Sequence, residues 1–195
     1  LRGARGRGHG NFRFFSESIQ DEVLAHRRLE HDLRSAIARD ELQVVFEPQV
    51  RLADDRVEAV EARLRWNHPE LGVLMPEDFL GVAEKSNYLV ALGAWVLEHV
   101  CQRLDAWRAG GVLLPRVAID IEAAQLRQVE FPDKLRSLLQ ANSIVPRFIE
   151  FELTERSLMT EPVLMQQRLH ALRDVGVRLA IDCFGAGAAS LSHLQ

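Results

Sequence analysis

The chain has 195 residues, 47% of them hydrophobic, and a formal net charge of −4 from 24 basic and 28 acidic side chains. This composition fits one globular domain and disfavours a dedicated nucleic-acid-binding protein, which would usually be basic. No apolar run approaches the roughly 20 residues that cross a bilayer, so no membrane contact is predicted for this segment, and two cysteines without a paired motif favour a reducing compartment such as the cytoplasm.

The first 15 residues are predicted to be a linker or the end of an upstream domain. Residues 1–11 are rich in glycine and arginine, which is typical of a flexible connector. An arginine-rich tail that binds nucleic acid is the alternative, and the glycines together with the acidic remainder of the chain disfavour it. Residues 12–15 contain three phenylalanines, as at the end of a β-strand.

Residues 16–40 are predicted to connect this segment to the main domain, with one long helix over residues 16–39. Ile19, Val23, Leu33 and Ile37 fall near one face at helical spacing, and charged side chains fill most of the rest. The helix is either a solvated amphipathic helix or a signalling connector between two domains, and its sequence favours neither.

Strands and helices alternate from Glu41 onward, which indicates an α/β fold with a parallel sheet. Strands are predicted at residues 42–46, 57–66, 117–121, 148–153 and 177–182, and helices at residues 79–84, 89–108, 131–141 and 161–175. Glycines follow the second and the fourth of these helices and are expected to end them.

Four acidic residues, Glu61, Asp120, Glu152 and Asp182, each lie in a separate predicted strand or at its C-terminal end. In parallel α/β folds that end of the strands carries the ligand site. Carboxylates in apolar strands are costly to bury without a neutralising charge, and hard divalent cations such as Mg²⁺ bind oxygen ligands of this kind. The pattern predicts a metal-assisted phosphoryl or related hydrolytic site. Separate roles in helix caps or arginine pairs are the alternative, and four equivalent positions make it the weaker one.

Arg65 lies four residues after Glu61 and therefore on the same face of its strand. Its planar guanidinium matches the oxygens of a phosphate. An ion pair with Glu61 explains the arginine equally well.

These motifs together resemble the EAL domain family over residues 41–195. Glu61 to Trp66 reads Glu-Ala-Arg-Leu-Arg-Trp and is similar to the Glu-Ala-Leu-Leu-Arg-Trp signature of that family. Phe46 to Val50 is similar to its Tyr-Gln-Pro-Gln-Val strand. Glu152 to Glu155 matches its Glu-Leu-Thr-Glu motif, and Asp182 to Gly187 resembles Asp-Asp-Phe-Gly-Thr-Gly. Residues 1–15 show a short and weaker similarity to the end of a GGDEF domain.

The resemblance implies a modified TIM barrel, (β/α)8 in type, that uses Mg²⁺ or Mn²⁺ to hydrolyse cyclic di-GMP to the linear dinucleotide. It implies cyclic di-GMP as the partner, a possible homodimer, and a cytoplasmic domain whose parent protein can be membrane-anchored. By position, the metal ligands would be Glu61, Asp120, Glu152 and Asp182, with Asp120 in place of the family's asparagine.

The resemblance also assigns residues to the ligand and to catalysis. Arg65 would hold a phosphate, with Glu47, Pro48 and Arg63 beside the ligand. Glu155 would brace the loop after the Asp182 strand. The catalytic group implied in this way is Glu61, Glu152, Glu155 and Asp182.

Several residues depart from the family pattern. Glu47 replaces a glutamine and brings a negative charge towards a dianionic ligand. Arg63 replaces a leucine and shares a strand face with Glu61, so its cation would compete with a metal. Glu122 replaces a serine. Cys183 replaces the second aspartate of its motif, and a thiol is a poor ligand for Mg²⁺.

The family pattern continues beyond Asp182 with three further strands, a lysine and more glutamates. About five of eight strands are expected here, so the sequence is either a piece of a longer protein or a shortened copy. Three functions follow. The first is a signalling module that binds the nucleotide or a partner with impaired catalysis. The others are an active phosphodiesterase seen in part and an interaction scaffold that binds no nucleotide.

Overall fold

A computed structural model describes residues 17–113 and 115–182 of the chain. Its helices are α1 (Glu17–Ala36), α2 (Pro76–Lys85), α3 (Leu89–Ala109), α4 (Ala123–Leu126), α5 (Phe131–Ala141), α6 (Glu155–Met159) and α7 (Pro162–Val175). Its strands are β1 (Leu42–Arg51), β2 (Arg56–His68), β3 (Gly72–Leu74), β4 (Arg116–Asp120), β5 (Ile149–Thr154) and β6 (Arg178–Asp182). The predictions for residues 1–15 and for Cys183 lie outside the described residues.

The strands form one sheet in the order β1-β2-β4-β5-β6, with β3 paired to β2. The pairings from β2 through β4 and β5 to β6 are parallel, which confirms the predicted α/β fold with a mostly parallel sheet. β1 and β3 are antiparallel to β2. Residues 52–55 alone connect β1 to β2, and so short a connection can join only antiparallel strands.

The two faces of the sheet have opposite chemistry because successive side chains of a strand alternate between them. Val60, Val117, Phe151 and other alternate strand residues are buried against apolar side chains of α3, α5 and α7. The residues between them include most of the charged side chains of β2, β4, β5 and β6. The apolar face therefore holds the core, and the other face is left for a site.

Helix α1 packs against the sheet through a second apolar cluster. Leu33 on α1 is fully buried together with Trp66 on β2 and Phe79 on α2. The Trp66 indole donates a hydrogen bond to Glu41 Oε2 at 3.0 Å, and its ring meets Phe79 edge-on with the centroids 5.6 Å apart. Leu33 and Ala36 of α1 thus contact the domain, and the helix ends at Ala36 rather than at the predicted residue 39.

Three short elements, β3, α4 and α6, were not predicted because three to five residues do not complete a hydrophobic period. The helix-ending role expected of glycine is seen after α7, where Gly176 adopts a φ of 99°. Among the described residues, no helix combines the length and the apolar character needed to cross a bilayer.

Candidate active site

Three of the four predicted metal ligands meet on the charged face of the sheet. Glu61 lies within β2, Asp120 ends β4 and Glu152 lies within β5. Parallel pairing sets Asp120 beside Glu152 and Ala118 beside Glu61, so the carboxylates project from adjacent strands. One oxygen from each of Glu61, Asp120 and Glu152 lies within 4.8 Å of the other two.

Asp182, the fourth predicted ligand, ends β6 on the far side of β5, opposite Thr154. It lies outside the group of three mutually close oxygens. Its negative charge still raises the pKa of Glu61, Asp120 and Glu152. Asp182 therefore adds to the negative electrostatic field of the cluster.

The cluster carries a surplus of negative charge. Burial raises the pKa of Glu152 to about 7, and the neighbouring charges of Glu61, Asp120 and Asp182 add to this shift. Burial also raises the pKa of Glu61, and Arg63 opposes that rise. Asp120 is exposed at the end of its strand. Desolvation by the surrounding protein still raises its pKa, and the positive charge of Arg63 opposes that rise. Each carboxylate is thus harder to ionise than in water.

This donor set fits a hard divalent cation. Three carboxylate oxygens at close range are the ligands that Mg²⁺ and Mn²⁺ prefer. A dication would also neutralise the charge that raises these pKa values. The residues that would hold it are Glu61, Asp120 and Glu152, with Asp182 beside them.

Two arginines and two glutamates form an ion-pair chain along β1 and β2. Arg63 Nε lies 2.9 Å from Glu61 Oε1 and 3.6 Å from Glu47 Oε2. Glu47 Oε1 in turn accepts a hydrogen bond from Arg65 Nη2 at 3.0 Å. Glu47 stands opposite Glu61 in the antiparallel pair, and its two carboxylate oxygens contact the two arginines. The carboxylate that Arg65 contacts is therefore Glu47, on the neighbouring strand, and not Glu61.

The two remaining predicted residues, Pro48 and Glu155, lie outside the carboxylate cluster. Pro48 pairs with Val60 in the β1–β2 register, on the opposite face of β1 from Glu47. Glu155 is the first residue of α6, directly after β5. The loop that Glu155 is predicted to brace lies outside the described residues.

One neighbour of the site, Glu84, was not singled out from the sequence. Burial raises the pKa of Glu122, just after β4, and the charges of Asp120 and Glu84 add to the rise. Glu84 lies on α2, 36 positions before Asp120. The position of Glu84 in a helix does not by itself indicate that α2 approaches the ends of the strands.

The chain matches one known protein family over most of its length. The sequence profile of the EAL domain matches residues 30–195. The chain belongs to the EAL domain family. This confirms the resemblance drawn from the motifs, and the described strands form part of the TIM-barrel-like fold of such domains.

Curated relatives of the domain include two named phosphodiesterases from Pseudomonas aeruginosa. Cyclic di-GMP phosphodiesterase NbdA is 35% identical over 96% of this chain and 24% of its own length. Bifunctional diguanylate cyclase/cyclic di-GMP phosphodiesterase MucR is 33% identical over 98% of this chain and 28% of its own length. An uncharacterised signalling protein of Caulobacter vibrioides is 37% identical over 98% of this chain and 23% of its own length. The chain thus spans about a quarter of the length of these relatives.

Two solved structures resemble the fold of this chain with the same TM-score. The MucR phosphodiesterase in complex with c-di-GMP matches with a TM-score of 0.80 and 35% identity, over 86% of this chain and 68% of that one. The EAL enzyme Bd1971, in a form with cAMP and cyclic di-GMP bound, matches with a TM-score of 0.80 and 25% identity, over 89% of this chain and 48% of that one. These likenesses establish an EAL domain of a cyclic di-GMP signalling family that includes phosphodiesterases.

Proposed function

We propose that this domain binds cyclic di-GMP at the charged face of its sheet and that its hydrolytic activity is impaired. The observation that carries the proposal is the convergence of Glu61, Asp120 and Glu152 beside Arg65, near the carboxyl ends of parallel strands. That is where α/β folds bind ligands. The similarity to MucR in its c-di-GMP complex supports the choice of nucleotide.

Each group has a chemical task in this proposal. Arg65 presents a planar guanidinium that suits a phosphate of the nucleotide. Glu61, Asp120 and Glu152, with Asp182 beside them, would hold Mg²⁺ or Mn²⁺. A bound divalent cation neutralises these carboxylates and stabilises the negative charge that develops on a phosphate. Glu155 supports the loop that follows Asp182.

Two substitutions support impaired hydrolysis. Cys183 stands where the family motif has a second aspartate, and a thiol is a poor ligand for hard divalent cations. Glu47 stands where the family has a glutamine, and half of its side chain is exposed next to Arg65. Its negative charge would repel a dianionic nucleotide and hold the arginine needed for a phosphate.

Calorimetric titration of the intact protein with cyclic di-GMP, with and without Mn²⁺, tests the proposal. We expect saturable binding, no binding of GMP at equal concentration, and little linear dinucleotide by chromatography. Arg65→Ala should weaken binding by about tenfold or more, because a charge-assisted hydrogen bond contributes roughly 1.5–3 kcal/mol. The matched control is Arg51→Ala, since Arg51 pairs with Glu58 and Asp54 at the far end of β1. No binding in either condition would leave an interaction scaffold as the function.

The second candidate is an active phosphodiesterase, which the close approach of three carboxylates favours. In that case the intact protein converts cyclic di-GMP to the linear dinucleotide in Mn²⁺ at a rate well above a chelator control. Glu61→Gln then abolishes turnover without changing the circular dichroism spectrum. Glu58→Gln, an exposed acid on the same strand, should keep the wild-type rate. Turnover that survives Glu61→Gln would reject the role of Glu61, and no turnover above the chelator control would eliminate this candidate.

A further inference from the structure

Arg63 contacts the carboxylate cluster directly. Its Nε lies 2.9 Å from Glu61 Oε1, within ion-pair distance of one of the three residues that would bind a metal. Glu61 is only 17% exposed on its side chain, whereas Arg63 is 40% exposed. The contact therefore joins a well-covered carboxylate to a cation that reaches it from the solvent side.

The charge of Arg63 does part of what a metal would do. Three carboxylates at close range leave a local surplus of negative charge that needs a counter-ion. An arginine supplies one permanent positive charge, since its guanidinium does not deprotonate in proteins. A divalent cation supplies two charges but must first separate the guanidinium from Glu61.

Glu47 offers Arg63 a second place to bind. Its Oε2 lies 3.6 Å from Arg63 Nε, on the strand next to that of Glu61, and its Oε1 contacts Arg65. A guanidinium displaced from Glu61 can remain paired with Glu47 without entering water alone. The chain thus holds two acids for one arginine, one inside the cluster and one at its edge.

We propose that Arg63 is a built-in counter-cation of the Glu61–Asp120–Glu152 cluster, which competes with divalent cations for Glu61 and sets a low metal affinity. The domain then keeps its fold without a metal, and it loads the metal only when Arg63 moves onto Glu47. The inference rests on the proposed function only in taking these three carboxylates as the metal ligands. In this role Arg63 sets the metal affinity of the cluster and is not a catalytic residue.

The test is direct Mn²⁺ binding by calorimetry in the intact protein, without nucleotide. Arg63→Leu should bind Mn²⁺ about tenfold more tightly than the wild type, because the metal no longer displaces a charge-assisted contact. Arg63→Lys keeps the charge and should remain within about threefold of the wild type. Arg56→Leu is the matched control, since it removes an 81% exposed arginine from the start of the same strand.

A second readout requires no metal binding by the wild type. In a chelator, Arg63→Leu should unfold at a lower temperature than the wild type, and added Mn²⁺ should raise its unfolding temperature more than that of the wild type. If Arg63→Leu does not fold, Arg63→Gln gives the same comparison with a polar side chain. An Mn²⁺ affinity within twofold of the wild type, or an equal gain in Arg56→Leu, would overturn the proposal.

The outcome is separable from that of the proposed function. Cyclic di-GMP binding by the wild-type protein is measured in the same preparations. Nucleotide binding with an unchanged metal affinity in Arg63→Leu rejects only the role of Arg63. A gain in metal affinity without nucleotide binding in any variant rejects only the proposed ligand.

Discussion

The two faces of β2 carry side chains of opposite character, apolar on one face and charged on the other. Val60, Ala62, Leu64 and Trp66 point to one side, where they contact the apolar clusters under α3 and α1. The three residues between them, Glu61, Arg63 and Arg65, point to the other side and pair with charges on their own strand and on β1. A single strand therefore supports the fold with one face and presents the candidate site with the other.

In this domain, stability depends mainly on the apolar face of β2 and ligand binding on the charged face. On the apolar face Val60, Ala62 and Trp66 are buried and Leu64 is partly buried, so a change alters the free energy of unfolding. On the charged face the groups are partly exposed and mutually repulsive, so a change alters ligand affinity and pH dependence more than stability. Substitutions on the two faces of β2, and on the elements that pack against them, test whether stability and ligand binding are separated in this way.

The largest effect is expected for Trp66→Ala. Trp66 is fully buried against Phe79 and donates a hydrogen bond to Glu41. Its truncation should lower the free energy of unfolding by about 3–5 kcal/mol, as measured by urea denaturation. Trp66→Phe should cost clearly less because it keeps a ring. Equal losses in the two variants would show that the indole hydrogen bond, and not packing, stabilises this face.

A smaller loss is expected for Leu33→Ala, on the helix that covers this part of β2. Leu33 is fully buried, so its truncation should cost about 2–4 kcal/mol. Leu24→Ala on the same helix is the control, because Leu24 is 44% exposed, and it should change stability by less than about 0.5 kcal/mol. If Leu33→Ala has no effect, α1 contributes nothing to the stability of the domain.

On the charged face, Glu152→Gln should stabilise the metal-free protein at high pH. The pKa of Glu152 is raised from 4.5 to about 7 in the folded state. The folded state then holds a proton more tightly than the unfolded state, so ionisation costs stability as the pH rises through this window. The variant should be more stable than the wild type by about 1 kcal/mol at pH 8, after allowance for solvent screening.

At pH 4.5 and below the two proteins should have similar stability, because Glu152 is then protonated in the folded state. Urea denaturation in a chelator across this range measures the trend. Glu58→Gln should show no such trend, since Glu58 is an exposed acid away from the cluster. A stability difference that is independent of pH would contradict the raised pKa.

The smallest effect on stability is expected for Glu47→Gln. Glu47 pairs with Arg63 and Arg65, but half of its side chain is exposed, and exposed ion pairs contribute roughly 0–1 kcal/mol. Its unfolding free energy should change by less than about 1 kcal/mol in urea denaturation. A loss as large as that of Leu33→Ala would show that the charged face also holds the fold together.

Much of the fold could be predicted from particular residues. Short apolar runs between predicted helices indicated the five long strands, because burial of one or both faces of a strand leaves a local pattern. Glu61, Asp120 and Glu152 were placed at one end of the sheet because parallel strands end at the same edge. The partner of Arg65 could not be predicted, because Glu47 comes from another strand and only the β1–β2 register brings the two together.

The sequence by itself determined the family, the five long strands and which side chains share a face, since the side-chain period of a strand is a property of consecutive residues. Only the tertiary structure decided that Glu61, Asp120 and Glu152 approach within 4.8 Å while Asp182 stands beside them, and that Arg63 rests on Glu61. Distances between side chains on different strands depend on the strand register and on packing by helices that are distant in sequence. A pattern of consecutive residues predicts neither of these.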